Sequence, residues 1–172
     1  MTDRPVLYVF SGLPGTGKTT LARCLSRHLG ACFLRIDTIE QGLRDLCGCD
    51  VQGEGYRLAY RIAQDNLLNG VSVVADCCNP IALTRDEWND VAERADSDRV
   101  NLEITCSDPT RHRERVESRS SDIQGLALPT WEDVLARKYD PWEGDDVIRL
   151  DTACRSIEES LDALLSAIEN RP

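Results

Sequence analysis

The segment Gly12-Leu13-Pro14-Gly15-Thr16-Gly17-Lys18-Thr19 constrains this chain more than any other. It has the form G-x-x-x-x-G-K-[ST]. It follows an apolar run at 6–10 and leads into an amphipathic stretch at 19–29. A strand, a glycine-rich turn and a helix are the setting in which such a loop cradles phosphate. The glycines let successive backbone N–H groups turn inward as an anion nest, and the helix start adds its partial positive charge. Lys18 offers a mobile point charge for β- and γ-phosphates, and Thr19 a hydroxyl for magnesium. ATP and Mg²⁺ are the cofactors this pattern implies.

Composition sharpens that reading. Thirty acidic residues against 20 basic ones give a formal charge of −10. Only Lys18 and Lys138 among the basic residues are lysines. Lys18 has a reason to be one, because a phosphate loop needs a flexible ammonium that a planar guanidinium replaces poorly. Lys138 is expected at the surface. So acidic a chain is a poor candidate for coating nucleic acid. With 172 residues, 41% of them hydrophobic, residues 1–172 are expected to form one domain. No apolar run approaches the roughly 20 residues of a membrane helix. The run at 6–10 is too short for a signal-peptide core, so a cytoplasmic protein is expected. The eight cysteines do not form a disulfide framework by spacing, and Cys47 and Cys49 lack a second ligand pair for zinc, so reduced thiols are expected. His28 and His112 fall in helical patterns and are expected at the surface or a rim.

Along the chain, apolar runs alternate with amphipathic stretches. Strands are expected at 6–10, 32–36, 71–75, 100–106 and 147–150. Helices are expected at 19–29, 38–46, 56–68, 84–95, 109–119, 131–138 and 156–168. The pattern predicts an α/β fold in three αβα layers around a five-stranded parallel sheet. Ligands of such sheets sit at the carboxyl ends of the strands. Asp37, Asp76 and Asp151 fall there, beside the phosphate loop. Asp76 ends an apolar strand and suits magnesium. Asp37 opens Asp37-Thr38-Ile39-Glu40, which has the D-x-x-E form of a helix capping box. It therefore either caps a helix or faces the γ-phosphate, where it would orient or deprotonate an acceptor hydroxyl.

Arg111, Arg115 and Arg119 are spaced i, i+4, i+8 and share a helix face. Glu114 and Glu117 offer them partners, so the face is either a solvated ion-pair surface or part of a small helical lid at about 110–130. A lid would place Arg115 and Arg119 on the phosphates, since a guanidinium fork matches phosphate geometry, and would exclude water.

These motifs together resemble the AAA_33 group of small P-loop kinases, of the zeta-toxin, chloramphenicol phosphotransferase and polynucleotide 5′-kinase type, related to gluconate and adenylylsulfate kinases. The resemblance runs from about residue 6 to 119, with an echo at Asp151-Thr152, and rests on segments 12–20, 34–43, 73–85 and 108–119. It implies the P-loop kinase fold. It also implies nucleotide contacts from the phosphate loop with Thr20, from Arg115 and Arg119, and from Thr152. Asp37 matches the aspartate that serves as base for the acceptor hydroxyl. Asp76-Cys77-Cys78-Asn79 with Arg85 matches a D-x-x-N pattern followed by an arginine. Polynucleotide kinases carry an arginine three residues after the base, where this chain has Glu40, with Arg44 one turn later. The D-G-D-x-x-R run of adenylylsulfate kinases is also missing.

The acceptor pocket is expected from Glu40, Arg44, Tyr56, Arg57, Tyr60, Asn79, Arg85 and Trp88. The leading expectation is an ATP:Mg²⁺ phosphotransferase acting on a hydroxyl of a small polar molecule, with Lys18, Asp37, Arg115 and Arg119 in the chemistry and Thr19 and Asp76 on the metal. Two alternatives stand beside it. One is a polynucleotide or nucleoside 5′-hydroxyl kinase. The other is an ATP-binding switch without an acceptor.

Overall fold

The computed structural model describes residues 4–140, 142–144 and 146–171. The strands are β1 (Val6–Ser11), β2 (Cys32–Arg35), β3 (Val73–Asp76), β4 (Asp98–Thr105) and β5 (Val147–Asp151). They form one parallel sheet in the order β2-β3-β1-β4-β5. The helices are α1 (Lys18–Leu29), α2 (Ile36–Cys47), α3 (Glu54–Leu68), α4 (Ala82–Arg94), α5 (Pro109–Ser118), α6 (Trp131–Ala136) and α7 (Ile157–Glu169).

Side chains alternate across the pleat, and the central strands are buried on both faces, as parallel strands usually are. Leu7, Val9, Val73 and Ala75 pack with Ala59, Ala63 and Leu67 of α3 and Trp88 and Val91 of α4. Tyr8, Phe10 and Val74 point the other way, onto Leu21 and Leu25 of α1 and Leu164 of α7. The two cores make the three layers. Among the described residues no helix is long and apolar enough to cross a membrane, and the eight cysteines are free thiols.

One boundary differs from expectation in a way that matters. Strand β2 ends at Arg35 and α2 begins at once with Ile36. Ile36 is buried in the α3-side core, which draws the chain into helix without a loop. Asp37 therefore lies in the first turn of α2 and does not cap it; Arg35 holds the N-cap position and no side-chain cap bond forms. Glu40 turns to Arg44 at 3.4 Å, and of the two alternatives for Asp37 the capping box is not formed.

Parallel register lines the strand ends along one edge. Phe10 pairs with Asp76, Asp76 with Arg35, Ser11 with Glu103, and Thr105 with Asp151. The phosphate-loop motif leaves β1 at that edge.

Candidate active site

Two glycines set the shape of the loop between β1 and α1. A Cβ on Gly12 (φ 141°) would lie 2.3 Å from the Ile104 carbonyl oxygen, and one on Gly15 (φ 86°) 2.5 Å from Val116 Cγ2. Both dihedrals belong to the left-handed side, which L-residues with a Cβ enter only with strain. Helix α1 starts without a side-chain cap and without an acid in its first turn. Its leading N–H groups are left for an external anion. Gly15→Ala combines clash with strain worth about 1–2 kcal/mol. The expected result is a roughly tenfold or greater loss of affinity for the non-hydrolysable analogue AMPPNP, read by calorimetry. Wild-type affinity would show that the loop tolerates the methyl group.

His112, expected at the surface, is buried instead. Its Nε2 lies 2.8 Å from the Pro14 carbonyl, and its ring meets Trp131 edge-on at 5.1 Å. It joins α5 and α6 to the loop. Of the arginines that share a face, Arg115 and Arg119 are half-buried and line the larger cleft, while Arg111 is exposed. Arg111 donates to the Ala153 carbonyl at 2.7 Å, while Arg115 donates to Thr152 Oγ1 at 2.8 Å and to the Thr152 carbonyl at 3.0 Å. The Thr152 hydroxyl has two carbonyls within donating distance, those of Thr16 (2.8 Å) and Thr105 (3.0 Å). Arg113 faces outward in an exposed pair with Glu117. Arg119 ends α5 with its Nε buried and without a hydrogen bond.

Lys18 is buried. Burial lowers its pKa, but Cys78, Asp76 and Asp37 outweigh that and hold it above the ordinary lysine value. Asp76 is buried too, and burial raises its carboxyl above the usual range, against the pull of Lys18 and a hydrogen bond from Thr19. Its Oδ2 has no hydrogen-bond partner among the described residues. An orphaned carboxylate oxygen beside a threonine hydroxyl, next to a phosphate loop, suits a hard divalent cation that keeps most of its waters. Thr19 and Asp76 are thus the residues able to hold magnesium.

Two clefts open on this edge. The larger, about 590 Å³, is lined by Lys18, Thr19, Thr20, Arg115, Arg119 and Thr152. It is also lined by residues outside the sequence expectation: Arg23, Arg35, Asp122, Arg155 and Ile157. The second, about 360 Å³, is lined by Asp37, Glu40, Tyr56, Arg57, Cys78, Thr84, Glu87 and Arg137, with an apolar wall of Ile36, Pro80, Ile81 and Leu83. Burial raises the Glu40 carboxyl, partly offset by Arg44. A Cβ on Gly55 would reach within 2.3 Å of Glu40 Cγ, so the start of α3 leaves room for that side chain.

Five residues expected in the acceptor pocket do not line this cleft. Arg44 stands on the outer side of Glu40. Tyr60 donates to the Thr84 carbonyl at 3.4 Å and packs edge-on against Trp88, which is fully buried. Asn79 is fully buried with φ 49°; its N–H donates to Tyr56 Oη at 3.0 Å and its Nδ2 to Ser11 Oγ at 3.1 Å. Arg85 donates from Nε to the Asn79 carbonyl and from Nη2 to the Asp140 carbonyl, and lies 5.4 Å from the Tyr139 ring and 4.4 Å from the Trp142 ring. Asn79 and Arg85 thus brace the turn after β3, whose Cys78 carbonyl accepts from Gly12 N at 3.1 Å. The Tyr139 and Trp142 rings pack against the Arg85 guanidinium and do not line the second cleft.

The profile of a family described as an AAA domain matches residues 7–141, well over half of the chain. This protein belongs to the AAA_33 family of P-loop kinase domains. A protein named "Putative adenylate kinase" in Thermococcus gammatolerans is 27% identical to this AAA_33 chain over 168 residues, covering 95% of this chain and 86% of the relative. The fold is that of solved P-loop kinases. A Mycobacterium tuberculosis APS kinase in complex with AMPPNP and APS superposes with a TM-score of 0.72 at 22% identity, over 98% of this chain and 99% of that one. A Sinorhizobium meliloti gluconokinase gives a TM-score of 0.66 at 17% identity, over 97% and 93%.

Proposed function

We propose that this AAA_33 protein transfers the γ-phosphoryl group of ATP to a hydroxyl of a small polar molecule. The observation that carries the reading is Asp37. The helix cap that would have given it a structural role is not made. Its carboxylate takes no hydrogen bond among the described residues, is about half exposed, and lines the second cleft. It is also close enough to Lys18 and Arg119, which both line the first, to act on their charge.

In this reading ATP lies in the larger cleft, with its phosphates on Gly12, Leu13, Pro14, Gly15, Thr16, Gly17 and Lys18. Thr20, Arg115, Arg119 and Thr152 complete the nucleotide side. Magnesium held by Thr19 and Asp76 would neutralise charge on the β- and γ-phosphates. The acceptor occupies the second cleft, with Glu40 in its wall. Asp37 holds the acceptor hydroxyl in line and takes its proton. A bond forms between that oxygen and the γ-phosphorus while the bond to the β–γ bridging oxygen breaks, and ADP leaves. Lys18, Arg115 and Arg119 spread the charge that develops. Helix α5 and residues 119–130 serve as the lid. Free thiols and a dependence on ATP accord with a cytoplasmic setting.

A second reading, in which the acceptor is a nucleotide phosphate, is favoured by the name of the Thermococcus gammatolerans relative. A polynucleotide or nucleoside 5′-kinase fits less well, because Glu40 stands in the cleft where a phosphate-gripping arginine would be needed. The test is ATP consumption against a panel of polyols, amino alcohols, sugar acids, nucleosides, nucleoside monophosphates and a 5′-hydroxyl oligonucleotide. Stimulation by one hydroxyl class supports the proposal. Stimulation only by AMP or another monophosphate overturns it in favour of the second reading.

A further inference from the structure

Arg35 is absent from the steps above, yet it stands at their centre. It ends β2, in register with Asp76 of β3. Its side chain is only 11% exposed, and it lines the nucleotide cleft. A guanidinium carries five N–H donors in a rigid fork, and each edge of this one meets a carboxylate from a different element. Nη1 donates to Asp122 Oδ1 at 2.7 Å, Nη2 stands 3.9 Å from Asp37 Oδ2, and Nε stands 3.7 Å from Asp76 Oδ2. Only the first is a hydrogen bond. Arg35 Nε and Asp76 Oδ2 are both buried and, among the described residues, both without a hydrogen bond, although they face each other as an ion pair at 3.7 Å.

We propose that Arg35 is a positioning residue which Asp122, in the segment 119–130, holds off Asp76 and Asp37, so that closure of this segment frees the Asp76 carboxylate for magnesium. The inference rests on the phosphotransferase reading. Asp122 is built to hold the fork, because Arg23 of α1 pairs with its second oxygen. The bond from Arg35, then that from Arg23, holds the Asp122 carboxyl well below the usual range. Gly125, in the same segment, packs against Gln41 of α2, leaving 3.2 Å between Gln41 Nε2 and the position a Cβ would take. The segment thus rests on α1, β2 and α2 together. With Asp122 withdrawn, the nearest anions to the Arg35 fork are Asp76 and Asp37. A movement of under an ångström brings Nε from 3.7 Å to hydrogen-bond distance, about 2.9 Å. It then engages a lone pair on the Oδ2 that a cation would use.

The test compares wild type, Asp122→Ala, Arg35→Met and the double variant. AMPPNP affinity is measured calorimetrically with and without magnesium, and amide hydrogen exchange is followed over residues 119–130. In Asp122→Ala the factor by which magnesium tightens AMPPNP is expected to fall about tenfold, within the usual range for coupled sites, and the segment exchanges faster. In the double variant that factor is expected to return to its Arg35→Met value, because the competing guanidinium is gone. A wild-type magnesium factor in Asp122→Ala overturns the inference, and so does a double variant in which the two losses simply add. Asp122 is exposed, so its variant tests the idea even if Arg35→Met does not fold. Lys18→Ala is the control. If it binds AMPPNP like wild type, the phosphate-loop reading itself fails; if it does not and Asp122→Ala is silent, only this inference fails.

Discussion

Lys18→Ala is expected to weaken ATP binding by about 100-fold or more. Each charge-assisted hydrogen bond to a phosphate oxygen is worth about 1.5–3 kcal/mol, and a loss of about 3 kcal/mol corresponds to a factor of about 100. The substitution also leaves Asp76 buried without the cation that most offsets its burial, so its carboxyl rises further and the magnesium corner weakens as well. Calorimetry with AMPPNP and magnesium reads the effect, and a thermal unfolding scan beside it separates lost binding from lost fold. Unchanged affinity in a folded variant would contradict the assignment of the loop.

Asp37→Asn is expected to act in the opposite way. A positioned general base contributes about 10²–10⁴-fold to a proton-transfer step. Turnover on a true acceptor should therefore drop by about that factor, because the amide keeps the shape and loses the proton acceptor. Nucleotide affinity should be retained or improved, since an anion is removed from beside Lys18 and Arg119. Asp37 does not cap α2, takes no hydrogen bond among the described residues, and is about half exposed, so stability should change little. The contrast between a binding defect at Lys18 and a turnover defect at Asp37 is the signature of a loop that holds ATP and a separate residue that handles the acceptor. Full turnover by Asp37→Asn would remove it from the chemistry.

The parts of the site legible in the sequence are those whose chemistry is local. The phosphate loop is one continuous segment. Asp76 announces itself by ending an apolar strand, and the cleft-lining Arg115 and Arg119 by their shared spacing on α5. The sheet is legible for the same reason, because buried parallel strands are short apolar runs bounded by polar turns. Long-range partners were hidden. Asn79 and Arg85 look like substrate groups as polar residues near a strand end, but the carbonyl and aromatic rings that absorb Arg85 come from Asp140, Tyr139 and Trp142. His112 looks like a surface residue until the loop's Pro14 carbonyl is placed against it. Arg35 precedes Asp37 by two positions, yet its meaning depends on Asp122, far along the chain. Asp37 itself was ambiguous because D-x-x-E describes both a cap and a site; the burial of Ile36 decided against the cap.

The most direct test of the central claim is the identity of the product. Phosphorus NMR of a reaction containing ATP, magnesium and the stimulating compound should show ADP and a new phosphate monoester in equal amounts, and neither should form with Asp37→Asn. Formation of inorganic phosphate alone, or a new signal from a phosphoanhydride on a nucleotide, would contradict transfer to a hydroxyl.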